Sequence, residues 1–133
     1  MSKKSGKIII GAGVKNVWPW ELHSAQALCN NGYVVTFIPK LDSAHSADAY
    51  LDARPYEFKS PEGSNIKNVE NNLKKALRNQ SKSVVIDTIR LKRVRDRSVL
   101  NYLLKLSREQ RGLKDLILVT KNGCVIDIYH SKR

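Results

Sequence analysis

Asp48, Glu57 and Lys59 have the residue types and spacing of a phosphodiester-cleaving centre. They lie in one stretch, DAYLDARPYEFKSP, over residues 48–61. Glu57 and Lys59 are two apart, so on a strand they project from one face while Tyr56 and Phe58 project from the other. A turn over Asp52-Ala53-Arg54 would fold Asp48 back beside Glu57. Two carboxylates drawn together repel unless a cation lies between them. Mg²⁺ suits that setting, because it takes oxygen ligands and keeps several waters; Mn²⁺ and Zn²⁺ are the alternatives. A bound cation of this kind activates a water and offsets charge on phosphate oxygens. The Lys59 ammonium beside it would orient that water or steady the charged phosphorane.

Glu-x-Lys alone carries no information. Five glutamates and fifteen lysines in 133 residues give about 0.6 matches by chance. The competing reading is a solvated strand face bearing a weak surface ion pair.

The elements that must position these residues can be read from the chain. Lys7–Ile10 has the composition of a short strand. Pro19 opens a helix that stops at Asn31-Gly32, with Leu22, Ala25, Leu28 and Cys29 expected on its buried face. Tyr33–Pro39 is β-branched and aromatic, hence a strand, and residues 40–46 form a polar loop. Ala47–Leu51 and Pro55–Lys59 are two further strands. After the break at residues 60–64, Asn65–Gln80 is amphipathic at helical period. Ser83–Ile89 is a buried strand, Asp96–Arg111 a helix, and Asp115–Tyr129 a hairpin turning at Lys121-Asn122-Gly123. The order α-β-β-β-α-β-α-β-β predicts an α/β fold, a central mixed sheet flanked by helices. Its length fits a single domain over 1–133, with residues 1–6 frayed.

The net charge is +12, which favours a polyanionic partner. Residues 66–114 hold fourteen basic side chains against four acidic. Lys67, Lys74, Arg90, Lys92, Arg93, Arg95 and Arg97 are the candidate nucleic-acid contacts, and LKRVRDR (91–97) is their densest run. A solvated helix start is the rival view of that run. No apolar stretch approaches the roughly 20 residues of a membrane span, and nothing resembles an export signal. Cys29 and Cys124 read as small buried hydrophobes, not as a disulfide framework or metal cluster.

An Asp on one strand, then Glu-x-Lys on the next, between two helices, resembles the PD-(D/E)xK nuclease superfamily. More narrowly, GYVVTFIPK followed by ADAYLDARPYEFKSPEGSNIKNVENNLKKAL resembles the C-terminal tRNase domains of CdiA-type contact-dependent inhibition toxins. EFKSP is the most specific segment, and the resemblance extends over nearly the whole chain. Ala47 stands where that family has Pro before the Asp; proline supplies no ligand. The resemblance implies a metal-dependent endonuclease acting on tRNA in the target-cell cytoplasm, delivered within a larger carrier. It also implies a cognate immunity protein, expected to be acidic because it must cover a basic cleft. By the same resemblance Glu21, early in the first helix, completes the metal site; otherwise it serves the helix dipole.

Other residues stay open. His23 and His45 are acid–base candidates or surface histidines. Asp52 is second to Asp48 as a ligand. Ser60 touches phosphate or caps a turn. Asp87 and Arg90 reach the substrate, or Asp87 pairs with an arginine. Trp18 and Trp20 stack on bases or pack. Gly11-Ala12-Gly13 lacks the third glycine of a dinucleotide loop. The rival functions are a DNA endonuclease on the same core, a non-catalytic nucleic-acid-binding module, and a binder of acidic membrane surfaces, which lacks the amphipathic helix it needs.

Overall fold

The computed structural model describes residues 6–39 and 47–131. The polar loop at 40–46, with His45, and residues 1–5 lie outside the described residues. Strands β1 (Lys7–Ile9), β2 (Val34–Phe37), β3 (Ala49–Leu51), β4 (Arg54–Lys59), β5 (Ser83–Asp87), β6 (Asp115–Val119) and β7 (Val125–His130) join helices α1 (Pro19–Asn30), α2 (Lys67–Arg78) and α3 (Asp96–Glu109). The strands form one seven-stranded mixed sheet in sequence order. β1 is parallel to β2, β4 to β5 and β5 to β6; the other neighbours are antiparallel.

The sheet divides the core in two. β5 and β6 are buried along their whole length, as strands covered on both faces must be, which explains their unbroken VVI and LILV runs. Val85, Ile117 and Val119 face α1, together with Tyr56 and Phe58. Val84, Ile86, Leu116 and Leu118 face α2 and α3. Val69, Leu73 and Ala76 of α2 and Val99, Leu103 and Leu106 of α3 are their buried partners, at the i, i+4, i+7 spacing of a helix stripe.

α1 departs from its expected face. Leu22 is 41% exposed, whereas Glu21, Ser24, Ala25, Ala27 and Leu28 are buried. The helix turns polar Glu21 and Ser24 inward, where Glu21 accepts the Trp18 N–H and Ser24 donates to Asp87. Gly6 packs so closely under Tyr33 that a Cβ would fall 2.2 Å from its carbonyl oxygen.

The β3–β4 hairpin is tighter than expected. Its strands run to Leu51 and from Arg54, leaving a two-residue turn with Asp52 at φ 56°. Asp52 accepts the Val34 N–H at 3.0 Å and donates its own to the Val34 carbonyl at 2.7 Å. It therefore ties the turn to β2, at the hairpin end away from Glu57, and is no substitute for Asp48.

Candidate active site

Register fixes where the β4 side chains go. Glu57 pairs with Val84 and Lys59 with Ile86, so both share the face covered by α2 and α3, while Tyr56 and Phe58 enter the α1 side of the core. The alternation read from the sequence is the one the strand adopts.

Asp48 precedes β3 by one residue. Ala49 is the registered partner of Tyr56, yet the Asp48 N–H also reaches the Tyr56 carbonyl at 3.0 Å. Two residues thus oppose one, the arrangement of a β-bulge, which re-aims a side chain where a ladder ends. The buried Asp48 carboxylate turns into the gap, where Oδ2 accepts the Phe58 N–H at 2.7 Å. It rests against the peptide that links Glu57 to Phe58.

Glu57 has both carboxylate oxygens engaged. Ser81, in the loop before β5, donates to Oε1 at 2.5 Å, and Lys59 Nζ lies 2.8 Å from Oε2. Neither Glu57 nor Lys59 is well exposed, with side-chain exposures of 11% and 19%, so the pair is less screened than a surface bridge. The cleft over Glu57, about 400 Å³, takes its basic lining from Arg54, Lys82 and Lys114. Lys82 and Lys114 belong to the basic region of residues 66–114, but none of the three was among the seven candidate contacts. A pairing of backbone between Lys114 N–H and the Lys82 carbonyl, 2.7 Å, brings the two lysines side by side. Only the tertiary fold reveals this juxtaposition.

The donors present suit a hard cation of the kind held by one or two carboxylates with retained waters. They do not form a cage: no group of three or more His, Cys, Asp or Glu side chains able to hold a metal occurs among the described residues. Glu21 is buried on α1, where its Oε1 accepts the Trp18 N–H at 2.9 Å and so closes the orphan donor at the helix start.

A second carboxylate network lies at the C-terminal end of β5. Asp87 is fully buried and accepts from Ser24 Oγ at 2.6 Å, from His23 Nδ1 at 2.7 Å and from the Ile89 N–H at 2.9 Å. Burial pushes its carboxyl above the ordinary range, and the bonds from Ser24, His23 and Ile89 only partly offset this. Asp87 thus pairs with a histidine, not an arginine. The other His23 nitrogen faces the Lys121 carbonyl at 3.2 Å, so both nitrogens are occupied.

Arg90 connects this region to β4. Its Nε donates to Ser60 Oγ at 3.1 Å, Nη2 donates to the Ser60 carbonyl at 2.6 Å, and Nη1 lies 3.0 Å from Glu62. Its guanidinium also sits 5.1 Å from the Trp20 ring centroid. Ser60 directly follows Lys59, so Arg90 holds the chain where it leaves the candidate centre.

The other predicted contacts stand elsewhere. Lys67 is exposed at the start of α2, and Lys74 pairs with Glu70 one turn back at 2.6 Å. Lys92, Arg93, Arg95 and Arg97 are exposed before and at the start of α3, around buried Leu91. Arg93 and Arg95 line a shallow depression with Ser64 and Asn65. The run is therefore a solvated cationic surface, separate from the lining of the Glu57 cleft.

Residues 45–125 match the sequence profile of the family described as contact-dependent growth inhibition CdiA C-terminal domain. The structure is similar to that of a CdiA-CT/CdiI toxin and immunity complex from Burkholderia pseudomallei, with a TM-score of 0.69 and 17% identity, covering 90% of this chain and 98% of that one. A comparison with curated proteins gives no match.

Proposed function

The chain belongs to the family of CdiA C-terminal domains of contact-dependent growth inhibition, and from that premise we propose that it is a metal-dependent ribonuclease that cuts phosphodiester bonds in tRNA. Domains of this family are the growth-inhibiting ends of larger delivered carrier proteins. What supports the enzymatic reading is the Glu57–Lys59 pair on β4, with Glu57 lining a cleft that has basic residues, and the Asp48 carboxylate bonded to the neighbouring Phe58 N–H.

Asp48 and Glu57 are the residues that would hold Mg²⁺, and the ion when bound would supply an activated water and charge neutralisation at the phosphate; Glu21, expected as a third ligand, serves instead as the α1 cap. Lys59 brings an ammonium to the same place. It is positioned to donate to a phosphate oxygen or to the attacking water, the role of a fixed donor aimed at developing charge. Ser81 fixes the Glu57 rotamer by its short bond to Oε1. Lys82 and Lys114 offer cations along the cleft for the flanking phosphates, while Arg54 is held by Asp115.

The Burkholderia pseudomallei structure is a complex of a toxin with its immunity protein. For this chain a cognate immunity protein with an acidic face is the matching partner, because a net charge of +12 and a cationic cleft select for it. The domain would act in the target-cell cytoplasm, where its substrate is. No helix among the described residues is long and apolar enough to cross a membrane.

Incubating the purified protein with total tRNA and with plasmid DNA, each with and without Mg²⁺, tests this reading. Fragmented tRNA with Mg²⁺ and intact tRNA without it is the expected result. Cut plasmid with intact tRNA would transfer the substrate to DNA. Neither cut, with both bound, would leave a non-catalytic nucleic-acid-binding module.

A further inference from the structure

Both tryptophans of the chain line a single cleft. Trp18, Pro19, Trp20, His23, Ile89 and Arg90 enclose about 460 Å³ at the start of α1. Trp18 is 59% exposed, although its backbone is fixed by the Glu21 cap. Ile89, across the cleft, is 36% exposed. The exposed Trp18 indole and Ile89 thus leave an apolar surface open to a ligand, while Trp20 packs partly against the core.

The frame is built to keep its shape. His23 is locked between Asp87 and the Lys121 carbonyl. Arg90 is held by Ser60 and Glu62 and spreads over Trp20. A stacked indole and guanidinium are the two surfaces on which unpaired bases stack, and every base has a π-face to offer them. The cleft is tied to β4 through Arg90, which bonds both the hydroxyl and the carbonyl of Ser60, the residue that follows Lys59. A polyanion drawn by the +12 charge meets cations at Lys82 and Lys114, and an aromatic cleft is what its bases require.

We propose that the cleft of Trp18, Trp20 and Arg90 holds an unpaired nucleobase of the substrate strand, next to the phosphate engaged at Lys59. This assignment rests on the nuclease reading for the identity of the strand, but it concerns binding and is separable from turnover. It gives the enzyme a preference for a single-stranded or extruded nucleotide beside the cut.

Because the cleft contains every tryptophan in the chain, intrinsic fluorescence reports on it directly. The Glu57→Gln protein, used so that turnover does not consume the ligand, is titrated with a tetra-adenylate ribonucleotide and with an abasic tetramer of equal charge. The expected result is quenching by the tetra-adenylate and none by the abasic chain. Trp18→Ala in the same background weakens tetra-adenylate binding by about tenfold, and Trp18→Phe recovers most of it. Equal affinity for the two tetramers overturns the proposal, as does a Trp18→Ala protein that binds tetra-adenylate normally. A Trp18→Ala variant that loses only its cognate immunity protein would make the cleft a protein-docking face and also overturn it. If the nuclease reading alone fails, the unmodified protein leaves tRNA intact while base-dependent quenching persists.

Discussion

The Asp48 carboxylate caps the Phe58 amide at 2.7 Å, and in doing so it lies against the peptide that begins at Glu57. One acidic side chain thereby closes the end of a β-ladder against the strand that carries the second acid of the candidate centre. The bulge at Asp48 is what permits both.

These two tasks separate on mutation. Asp48→Asn retains an oxygen for the Phe58 N–H but removes the charge. It should melt within a few degrees of the unmodified protein, while cleavage falls by about 100-fold or more. Asp48→Ala also strands a buried N–H, at a cost of about 1–3 kcal/mol. Thermal melts beside single-turnover cleavage check both, and an Asp48→Asn enzyme of normal rate would reduce Asp48 to a strand cap.

Lys59→Met keeps the apolar stem and loses the ammonium. Since Lys59 is assigned to charge that develops in the reaction, kcat should fall by about 100- to 1000-fold with KM little changed. A rise in KM at unchanged kcat would show that Lys59 only binds the ground state.

Reversing the cleft charges with Lys82→Glu and Lys114→Glu should do the opposite. KM for tRNA rises, kcat holds, and the dependence of KM on salt becomes shallower by about two phosphate contacts. The same changes in exposed Arg95 and Arg97 serve as the comparison. A larger effect there would move the substrate path from the Glu57 cleft to the start of α3.

Stability in acid should depend on Asp115. Burial acts to raise its carboxyl, but bonds from Ser83, Arg54 and His130 outweigh this and hold it below the ordinary value of 3.8. A depressed folded-state pKa contributes stability that is present above the unfolded value and lost as pH falls through the folded one. Asp115→Asn should therefore cost about 2 kcal/mol at neutral pH, and the deficit should narrow below about pH 4. Melting curves across that range decide it; a gap that stays constant in acid would mean that packing, not charge, is at stake.

Much of this was legible in the sequence because local signals agreed with the fold. Pro19, the stop at Asn31-Gly32, the apolar stripes of α2 and α3 and the alternation of Tyr56 to Lys59 each reported a structure that was found. Reading α1 failed where function or networks override patterning: Leu22 looked like core, but Glu21 and Ser24 occupy the buried face. Ser81, Lys82 and Lys114 around Glu57, and Ser24 and His23 around Asp87, come from segments far apart in the chain. No periodicity can announce such meetings, because the register of β4, β5 and β6 creates them. The dense run at 91–97 drew attention by charge alone, and charge density along a chain does not say which cations share a cleft.

The most direct test is production of the domain inside cells, without its immunity partner, as the unmodified chain and as Glu57→Ala, followed by growth and by electrophoresis of total tRNA. The account predicts that the unmodified chain arrests growth and fragments tRNA, while cells making equal amounts of folded Glu57→Ala grow with tRNA intact. Equal arrest and equal fragmentation from Glu57→Ala would contradict it.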